Sequence, residues 1–271
     1  MTAQAGPIAQ RRAGRRRVAR WRPSAALGAI VLAFLASQAV AYLIVLAGGG
    51  ESGATRGVIA TALVAADLVI VGIVIAFARR GAEHLGAATL GIRRTRFWPA
   101  VGWLVTIYLA TGAFAVLWFA LVGAGGDRGF SRSGSPPGTV AALAALLAVA
   151  VAAPIGEEIA FRGYLFPALT RWRGPWTGAI VTALLFGLAH IAAYPPQVLP
   201  VMAVFGFGAC LLYWITGSLL PCVALHALNN GVATGLLLGW KSGVPPAALG
   251  AVVVALALLA PFARETAPRR P

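Results

Sequence analysis

Long apolar runs separated by short polar breaks occupy most of the chain. The runs cover residues 24–47, 57–78, 98–122, 139–161, 176–194, 198–217, 220–238 and 246–262. A run of about 20 residues, coiled as an α-helix, crosses about 30 Å of hydrocarbon. Because backbone polar groups in lipid must be satisfied within the segment, the pattern predicts an all-α fold, a polytopic membrane bundle of about eight transmembrane helices.

The composition agrees with a membrane protein and excludes an ordinary soluble domain. Hydrophobic residues make up 59% of the chain and charged residues 11%, and the mean hydropathy is +0.84. The formal net charge of +15 would suggest nucleic-acid binding in a soluble protein. Here the basic residues cluster in the polar breaks, so we predict the lipid bilayer as a partner and no nucleic acid.

The basic residues are unevenly divided between alternate breaks. Of the 22, 18 lie in the amino-terminal arm, the break 79–97, the segment 162–175 and the tail from residue 263. The opposite set contains four, namely Arg56, Arg128, Arg132 and Lys241. Positive charge is concentrated on the cytoplasmic side of membrane proteins, so we predict a multi-pass protein of the cell membrane with both termini in the cytoplasm.

The chain divides into parts at its changes of composition. Residues 1–23 carry seven arginines and no apolar period, which predicts a basic, disordered cytoplasmic arm rather than a signal peptide. Residues 24–122 are the amino-terminal transmembrane helices, 139–238 a polar-bearing membrane core and 246–262 the last transmembrane helix. Residues 123–138, rich in Gly, Ser and Pro, predict an external loop. Cys210 and Cys222 stand in apolar sequence and are interpreted as small buried residues rather than a disulfide.

Adjacent carboxylates stand inside an apolar run at Glu157 and Glu158, although the chain has only seven acidic residues. Ionised carboxylates in hydrocarbon cost several kcal/mol unless they are paired or hydrated, so the pair is a hypothesis of function. Pairs spaced by one helical turn follow in successive runs: Glu158 with Arg162, Phe186 with His190, and His226 with Asn230. We expect these pairs to form one inward-facing cluster.

Spacing assigns partners within this cluster. Arg162 is assigned to Glu158, which leaves Glu157 freer. Glu157 and His190 are about equally far from the turn-like segment 173–175, so they should face each other in an antiparallel helix pair. Together, a glutamate, two histidines and an asparagine supply what is needed to ionise a water, hold it and stabilise an oxyanion. The cluster therefore favours a hydrolytic reaction.

Two further titratable residues receive a plainer interpretation. Asp67 lies within the second run with no motif around it, and we expect it to make a structural hydrogen bond or a water contact. His84 lies in the basic break 79–97, where we expect solvated surface.

The three motifs together carry a resemblance. The order Glu157-Glu158-x-x-x-Arg162, Phe186-x-x-x-His190 and His226-x-x-x-Asn230 resembles the CPBP family, which includes the type II CAAX prenyl endopeptidases and Abi-like bacteriocin-processing or immunity proteins. The likeness covers about residues 139–235. It implies an intramembrane endopeptidase acting on membrane-associated or lipidated peptides. By similarity, Glu157 with His190 activates water, His226 and Asn230 stabilise the oxyanion, and Glu158 and Arg162 are the structural pair.

The resemblance leaves open whether a metal cofactor is needed and whether the protein is an enzyme, a scaffold or a transporter. Glu157, His190 and His226 could instead hold zinc or another divalent metal with water in the fourth position, as in a metalloprotease. We favour direct action of the glutamate without a metal, because neither HExxH nor a cysteine set appears in the sequence. A non-catalytic scaffold or bacteriocin-immunity protein that binds peptides in the same cavity is the alternative function. A proton-relaying transporter is a third, which we favour less because no inverted repeat is visible.

Overall fold

The computed structural model describes residues 20–50, 55–123 and 139–267. These residues form the helices α1 (Pro23–Ala47), α2 (Arg56–Arg80), α3 (Phe97–Val122), α4 (Thr139–Leu147), α5 (Ala153–Glu158), α6 (Phe166–Ala189), α7 (Leu199–Thr216), α8 (Leu220–Leu237) and α9 (Val244–Leu259). Two π-helices, Ala148–Ala152 and Ile159–Leu165, join α4 to α5 and α5 to α6. The predicted all-α fold is confirmed.

The number of spans differs from the prediction for a simple reason. Seven helical stretches in the described ranges are long and apolar enough to cross a membrane. The predicted spans 139–161 and 176–194 belong to one stretch of 51 residues, Thr139–Ala189. The backbone breaks within it, at Arg173 (φ −134°, ψ 16°) and Gly174 (φ 84°, ψ 170°). The protein is therefore a multi-pass membrane bundle whose fourth stretch has two arms.

Gly174 is the point at which these two arms separate. Its backbone angles lie in a region that only glycine adopts readily, and Pro175 after it cannot continue the preceding hydrogen-bond pattern. Beyond the break the arms approach closely: a Cβ placed on Gly178 would lie 2.8 Å from the Thr170 hydroxyl oxygen. The arms therefore form the antiparallel hairpin that the sequence predicts.

Helix packing places the polar motif at the centre of the molecule. The most extensive contacts join α1 to α2, α6 to α7, and α8 to α9. All seven residues of the π-helix Ile159–Leu165 are buried. Large apolar side chains on the outer faces are exposed, for example Leu121 (83%) and Val140 (83%), as expected for surfaces that face lipid. The core is thus built around the segment that follows Glu158.

The basic breaks meet at one end of the bundle. Trp21 is buried and its indole N–H donates to the Ala78 carbonyl at the end of α2 (2.9 Å). The Arg94 N–H, in the break after α2, donates to the Glu265 carbonyl in the tail (2.8 Å). The Arg171 guanidinium lies 5.5 Å from the Trp21 ring centroid. Four segments predicted for one membrane side therefore lie together.

Parts of the predicted arm and loop fall outside the described residues. These are residues 1–19 of the basic arm and residues 124–138 of the external loop. Cys210 and Cys222 are described, and both are buried and free, in agreement with their interpretation as small apolar residues.

Candidate active site

Glu157 and Glu158 end the short helix α5, between the two π-helices. π-helical turns are uncommon in proteins and often mark functional sites. The one that follows, Ile159–Leu165, contains Arg162 in its middle. The motif therefore sits in a locally widened helix.

Pro154 accounts for the first π-helix. The Ala153 N–H donates to the Ala148 carbonyl, five residues earlier. The equivalent bond from residue 154 to the Val149 carbonyl cannot form, because Pro154 has no N–H. The Asn230 side-chain amide on α8 donates to the Val149 carbonyl instead (2.9 Å). The proline thus leaves an acceptor that ties α8 to this helix.

Glu158 is the buried anchor of the site. Its Oε1 accepts a hydrogen bond from Arg162 Nη1 (2.8 Å), and both side chains are 0% exposed. Arg162 Nη2 donates to the Gly206 carbonyl on α7 (2.9 Å). The same Glu158 Oε1 contacts His226 Nδ1 (2.9 Å). One carboxylate oxygen therefore joins the arginine of its own helix to a histidine on α8.

Glu157 lies between the two membrane histidines. Its Oε2 is 3.9 Å from His190 Nε2 and 4.0 Å from His226 Nε2. That oxygen is buried and accepts no hydrogen bond from a described residue. Two acceptors that share one water molecule through hydrogen bonds of about 2.8 Å lie about 4.4 Å apart, close to the separations seen here. The separations suit a water held between Glu157 and an imidazole.

The Nδ1 partners give the two imidazoles different properties. His190 Nδ1 lies 2.8 Å from the Phe186 carbonyl, which can only accept, so His190 Nδ1 carries the proton and Nε2 has a lone pair when the ring is neutral. His226 Nδ1 faces the Glu158 carboxylate, an acceptor that carries a charge, whereas the acceptor at His190 is a neutral carbonyl. Both Nδ1 positions therefore donate, and Nε2 of each neutral ring keeps a lone pair toward Glu157.

Phe186 packs against His190, His226 and Arg162. Its ring centroid lies 4.9 Å from that of His190 and 5.8 Å from that of His226. The Arg162 guanidinium carbon is 4.6 Å from the Phe186 centroid. Phe205 also packs against His226, with ring centroids 5.3 Å apart. These rings limit water around the histidines and fix their orientation.

Asn230 lies one turn beyond His226 on α8. Besides the bond to Val149, its Oδ1 accepts from Asn229 Nδ2 (3.2 Å). The structure therefore places Asn230 against the first π-helix, and its predicted oxyanion role stays a prediction.

The predicted metal set of Glu157, His190 and His226 does not fit a metal ion as placed. Ligands about 2.0–2.1 Å from a tetrahedral zinc stand about 3.3 Å from each other, whereas the distances from Glu157 Oε2 are 3.9 and 4.0 Å. Within the described ranges, no group of three or more His, Cys, Asp or Glu side chains is arranged to hold a metal. The metalloprotease interpretation is therefore unsupported.

Two residues beside Glu157 escaped the sequence analysis as site residues. Tyr194 follows His190 by four residues, with ring centroids 5.9 Å apart. Partial burial and then the charge of Glu157 raise the pKa of Tyr194, so its hydroxyl stays a proton donor. The signal was the continuation of the four-residue spacing from Phe186 through His190. The second residue is Asp67, whose Oδ2 is buried without a hydrogen-bond partner among the described residues. Its signal was an acidic side chain in mid-span.

Comparison with known protein families gives a match over the part of the chain that carries the polar motifs. Residues 139–232 match the family described as Type II CAAX prenyl endopeptidase Rce1-like. No curated protein and no solved structure matches the chain significantly. The matched segment runs from the start of α4 into α8 and contains all three sequence motifs.

Proposed function

We propose that this chain, whose residues 139–232 match the Type II CAAX prenyl endopeptidase Rce1-like family, hydrolyses peptide bonds of membrane-associated or lipidated peptides through a water activated by Glu157 and His190. The observation that carries the proposal is the position of Glu157 Oε2, about 4 Å from the Nε2 atoms of both His190 and His226. Three groups able to exchange protons with one water thereby meet in an apolar enclosure.

The first step uses the pair Glu157 and His190. One water hydrogen is directed at Glu157 Oε2 and the other at the His190 Nε2 lone pair. Glu157 takes its proton as the water oxygen bonds to the carbonyl carbon of the scissile peptide. The carbonyl π electrons move to oxygen and form the tetrahedral oxyanion. The Phe186 carbonyl holds His190 in this role by accepting a hydrogen bond from its Nδ1–H (2.8 Å).

Stabilising the oxyanion is the task proposed for His226, with Asn230 as a second donor. The His226 Nδ1–H donates a hydrogen bond to Glu158 Oε1 (2.9 Å), and a second proton on Nε2 would let the ring donate to the oxyanion, with Glu158 as its counter-charge. Preorganised donors in a site that excludes water contribute strongly to such reactions. The intermediate then collapses, the C–N bond breaks, and Glu157 returns its proton to the leaving amine. The Glu158–Arg162 pair supplies the framework.

The deciding experiment uses purified protein and a library of lipidated and unlipidated membrane peptides. We expect cleavage by wild type, and a loss of at least about 1,000-fold in Glu157→Ala and His190→Ala, because each removes a group that exchanges protons with the water. His84→Ala changes the third histidine, in the break after α2, and should leave cleavage unchanged. We also expect cleavage to survive exhaustive chelation, since no metal enters the mechanism.

The other outcomes are equally informative. Cleavage retained in either site variant removes the mechanism. Peptide binding without cleavage by wild type, across lipidated and unlipidated substrates, supports the scaffold or immunity function. Activity that is abolished by chelation and restored by zinc would support a metal site formed by Glu157, His190 and His226. The comparison of lipidated with unlipidated peptides identifies the substrate class.

A further inference from the structure

Residues of α6 become more exposed with distance from the arginine-rich end, the end of the bundle at which the basic breaks meet. α6 starts its second arm at this end, because the break at Gly174 follows Arg171, which contacts Trp21. A row of residues spaced four apart then runs away from the break. The exposed fractions along this row are 0% for Thr182, 1% for Phe186, 17% for the His190 side chain and 40% for Tyr194.

The other two segments of the site show the same gradient. Residues Ile159–Leu165, which lead from Glu158 toward the break, are all buried, whereas the Glu157 side chain is 14% exposed. On α8, residues 221–227 are buried, residues 228–230 are partly exposed and Ala233 is exposed. α8 begins at the arginine-rich end and runs away from it. All three segments are therefore accessible on the side that faces away from the arginines.

A short stretch of the break after α2 fills the arginine-rich end below the site. Leu90 and Ile92 in this stretch are buried. A Cβ placed on Gly163 would lie 2.9 Å from the Leu90 carbonyl oxygen, so the stretch touches the backbone of the second π-helix. The Gly91 carbonyl accepts a hydrogen bond from the Leu219 N–H at the start of α8 (2.7 Å). Residues 90–92 thus close the site at this end of the described bundle.

Close helix packing covers the site from two sides. A Cβ placed on Gly156, directly before Glu157, would lie 3.6 Å from the Asp67 Cβ on α2. A Cβ placed on Gly187 would lie 2.9 Å from the Leu199 carbonyl oxygen at the start of α7. α2 and α7 therefore pack against the backbones that carry Glu157 and the histidine of α6. The end of the bundle opposite the arginines stays accessible.

The accessible end is polar and lies near a membrane interface. His190 ends α6, and Tyr194 lies in the turn that follows, where the charge of Glu157 acts on its hydroxyl. In the same connection, the Gln197 carbonyl accepts a hydrogen bond from the indole N–H of Trp118, near the end of α3 (2.8 Å). Tryptophan side chains are enriched at the level of the lipid headgroups. Water and a polar peptide backbone can therefore approach the site from this end.

We propose that the site admits its substrate from the membrane face opposite the arginine-rich end, which the positive-inside rule makes the extracytoplasmic face. The substrate class is then a peptide segment presented at the outer surface of the membrane by an exported or membrane-spanning protein. A lipidated protein held on the cytoplasmic leaflet does not meet this condition. The inference rests on the proposed function for what enters the site, whereas the direction of opening can be measured without any substrate.

Labelling of single cysteines with a small cationic methanethiosulfonate, which reacts in water and does not cross membranes, measures the direction of opening. His190→Cys should react from the same side as Gly123→Cys at the end of α3. Its rate should be at least about tenfold higher than that of Ala179→Cys, a buried position on α6 nearer the arginine-rich end. Glu157→Cys repeats the test from a second segment.

The controls make each labelling outcome decisive. Arg96→Cys, before α3, reports the arginine-rich end. The native cysteines are buried, so their reaction identifies a misfolded variant, and the other site variant then decides. Reaction of the site cysteines only from the side of Arg96→Cys, or from neither side, overturns the inference.

Vesicles of known orientation test the substrate class. The probe is a peptide with an acyl anchor and a strongly charged cleavable segment, added to the outside of vesicles that hold the full-length protein. We expect cleavage when the end marked by Gly123 faces outward, and none when the end marked by Arg96 does. Equal cleavage in both orientations, or cleavage only in the second, overturns the inference. If neither orientation cleaves the peptide, the proposed function fails while the labelling still decides the direction of opening.

Discussion

Glu158 serves two buried donors with one carboxylate oxygen. Arg162 Nη1 lies 2.8 Å and His226 Nδ1 2.9 Å from Glu158 Oε1. The arginine contact holds the π-helical segment together, while the histidine contact orients a residue of the proposed chemistry. When the arginine and the glutamate are replaced together, we therefore expect stability to be kept and activity to be lost.

Replacing Arg162 alone should lower the stability of the protein, and replacing Glu158 as well should restore stability without restoring cleavage. Arg162→Met leaves a buried carboxylate without its cation, and should lower the free energy of unfolding by about 3–5 kcal/mol. Adding Glu158→Leu removes the uncompensated charge and should recover most of that stability. Cleavage should not recover, since His226 then lacks an acceptor at Nδ1. Thermal unfolding can be followed by the reaction of a thiol dye with the buried free cysteines Cys210 and Cys222.

Glu158→Gln provides the matched control, because it keeps an acceptor for His226 but loses the charge. Glu158→Gln should retain more activity than the double variant, although its free energy of unfolding should be lower than that of the double variant. A double variant that cleaves as well as wild type would show that the contact between His226 and Glu158 is dispensable.

Sequence spacing accounts for contacts within a helix and within a hairpin at the residue scale. The pair Glu158–Arg162 follows from helical periodicity, and the approach of Glu157 to His190 from their equal distances to the break at Gly174. Spacing could not show which of two adjacent carboxylates would take His226, because that depends on how α8 rotates against α5. Asp67 was missed for the same reason, since its approach depends on the packing of α2 against Gly156.

At the scale of elements, Pro154 determines how α5 meets α8. A kink at this proline was predictable from its missing N–H. The π-helices on either side, and the use of the freed Val149 carbonyl by Asn230 (2.9 Å), could not be predicted because they require a donor from another helix. The proline thus connects a local backbone rule to the position of a proposed oxyanion donor.

Pro154→Ala tests this connection. The restored N–H can bond the preceding turn and compete with Asn230 for Val149, so we expect equal or higher thermal stability and cleavage lowered about tenfold. Pro200→Ala, in the first turn of α7 where backbone N–H groups have no helical partner, is the control and should alter neither. Unchanged cleavage in Pro154→Ala would separate Asn230 from the chemistry.

At the scale of the whole molecule, the arginine-rich segments share one end of the bundle. The arm end at Arg20 bonds to the Gly81 carbonyl (2.9 Å), and Arg94 bonds to the tail at Glu265 (2.8 Å). The sequence predicted this grouping from the division of 18 against four basic residues. Which face of the membrane this end meets is a matter of the positive-inside rule, and we propose the cytoplasm.

Labelling of single cysteines in intact cells measures this orientation. With a thiol reagent that does not cross membranes, Gly123→Cys at the end of α3 should react in intact cells. Arg96→Cys before α3 should react only after the cells are permeabilised. The native cysteines are buried and should stay unlabelled in the folded wild type. The reverse pattern would place both termini outside.

The break at Gly174 also bears on the order in which the site comes together during synthesis. Glu157 and His190 belong to two arms of one hairpin and are 33 residues apart, whereas His226 arrives 36 residues later on a separate helix. Helical hairpins form from local contacts early, and chains fold from the amino terminus as they emerge. The proposed base and its imidazole partner would thus be in place before the proposed oxyanion donor, so the proposed site would be incomplete in the newly made protein until α8 has inserted.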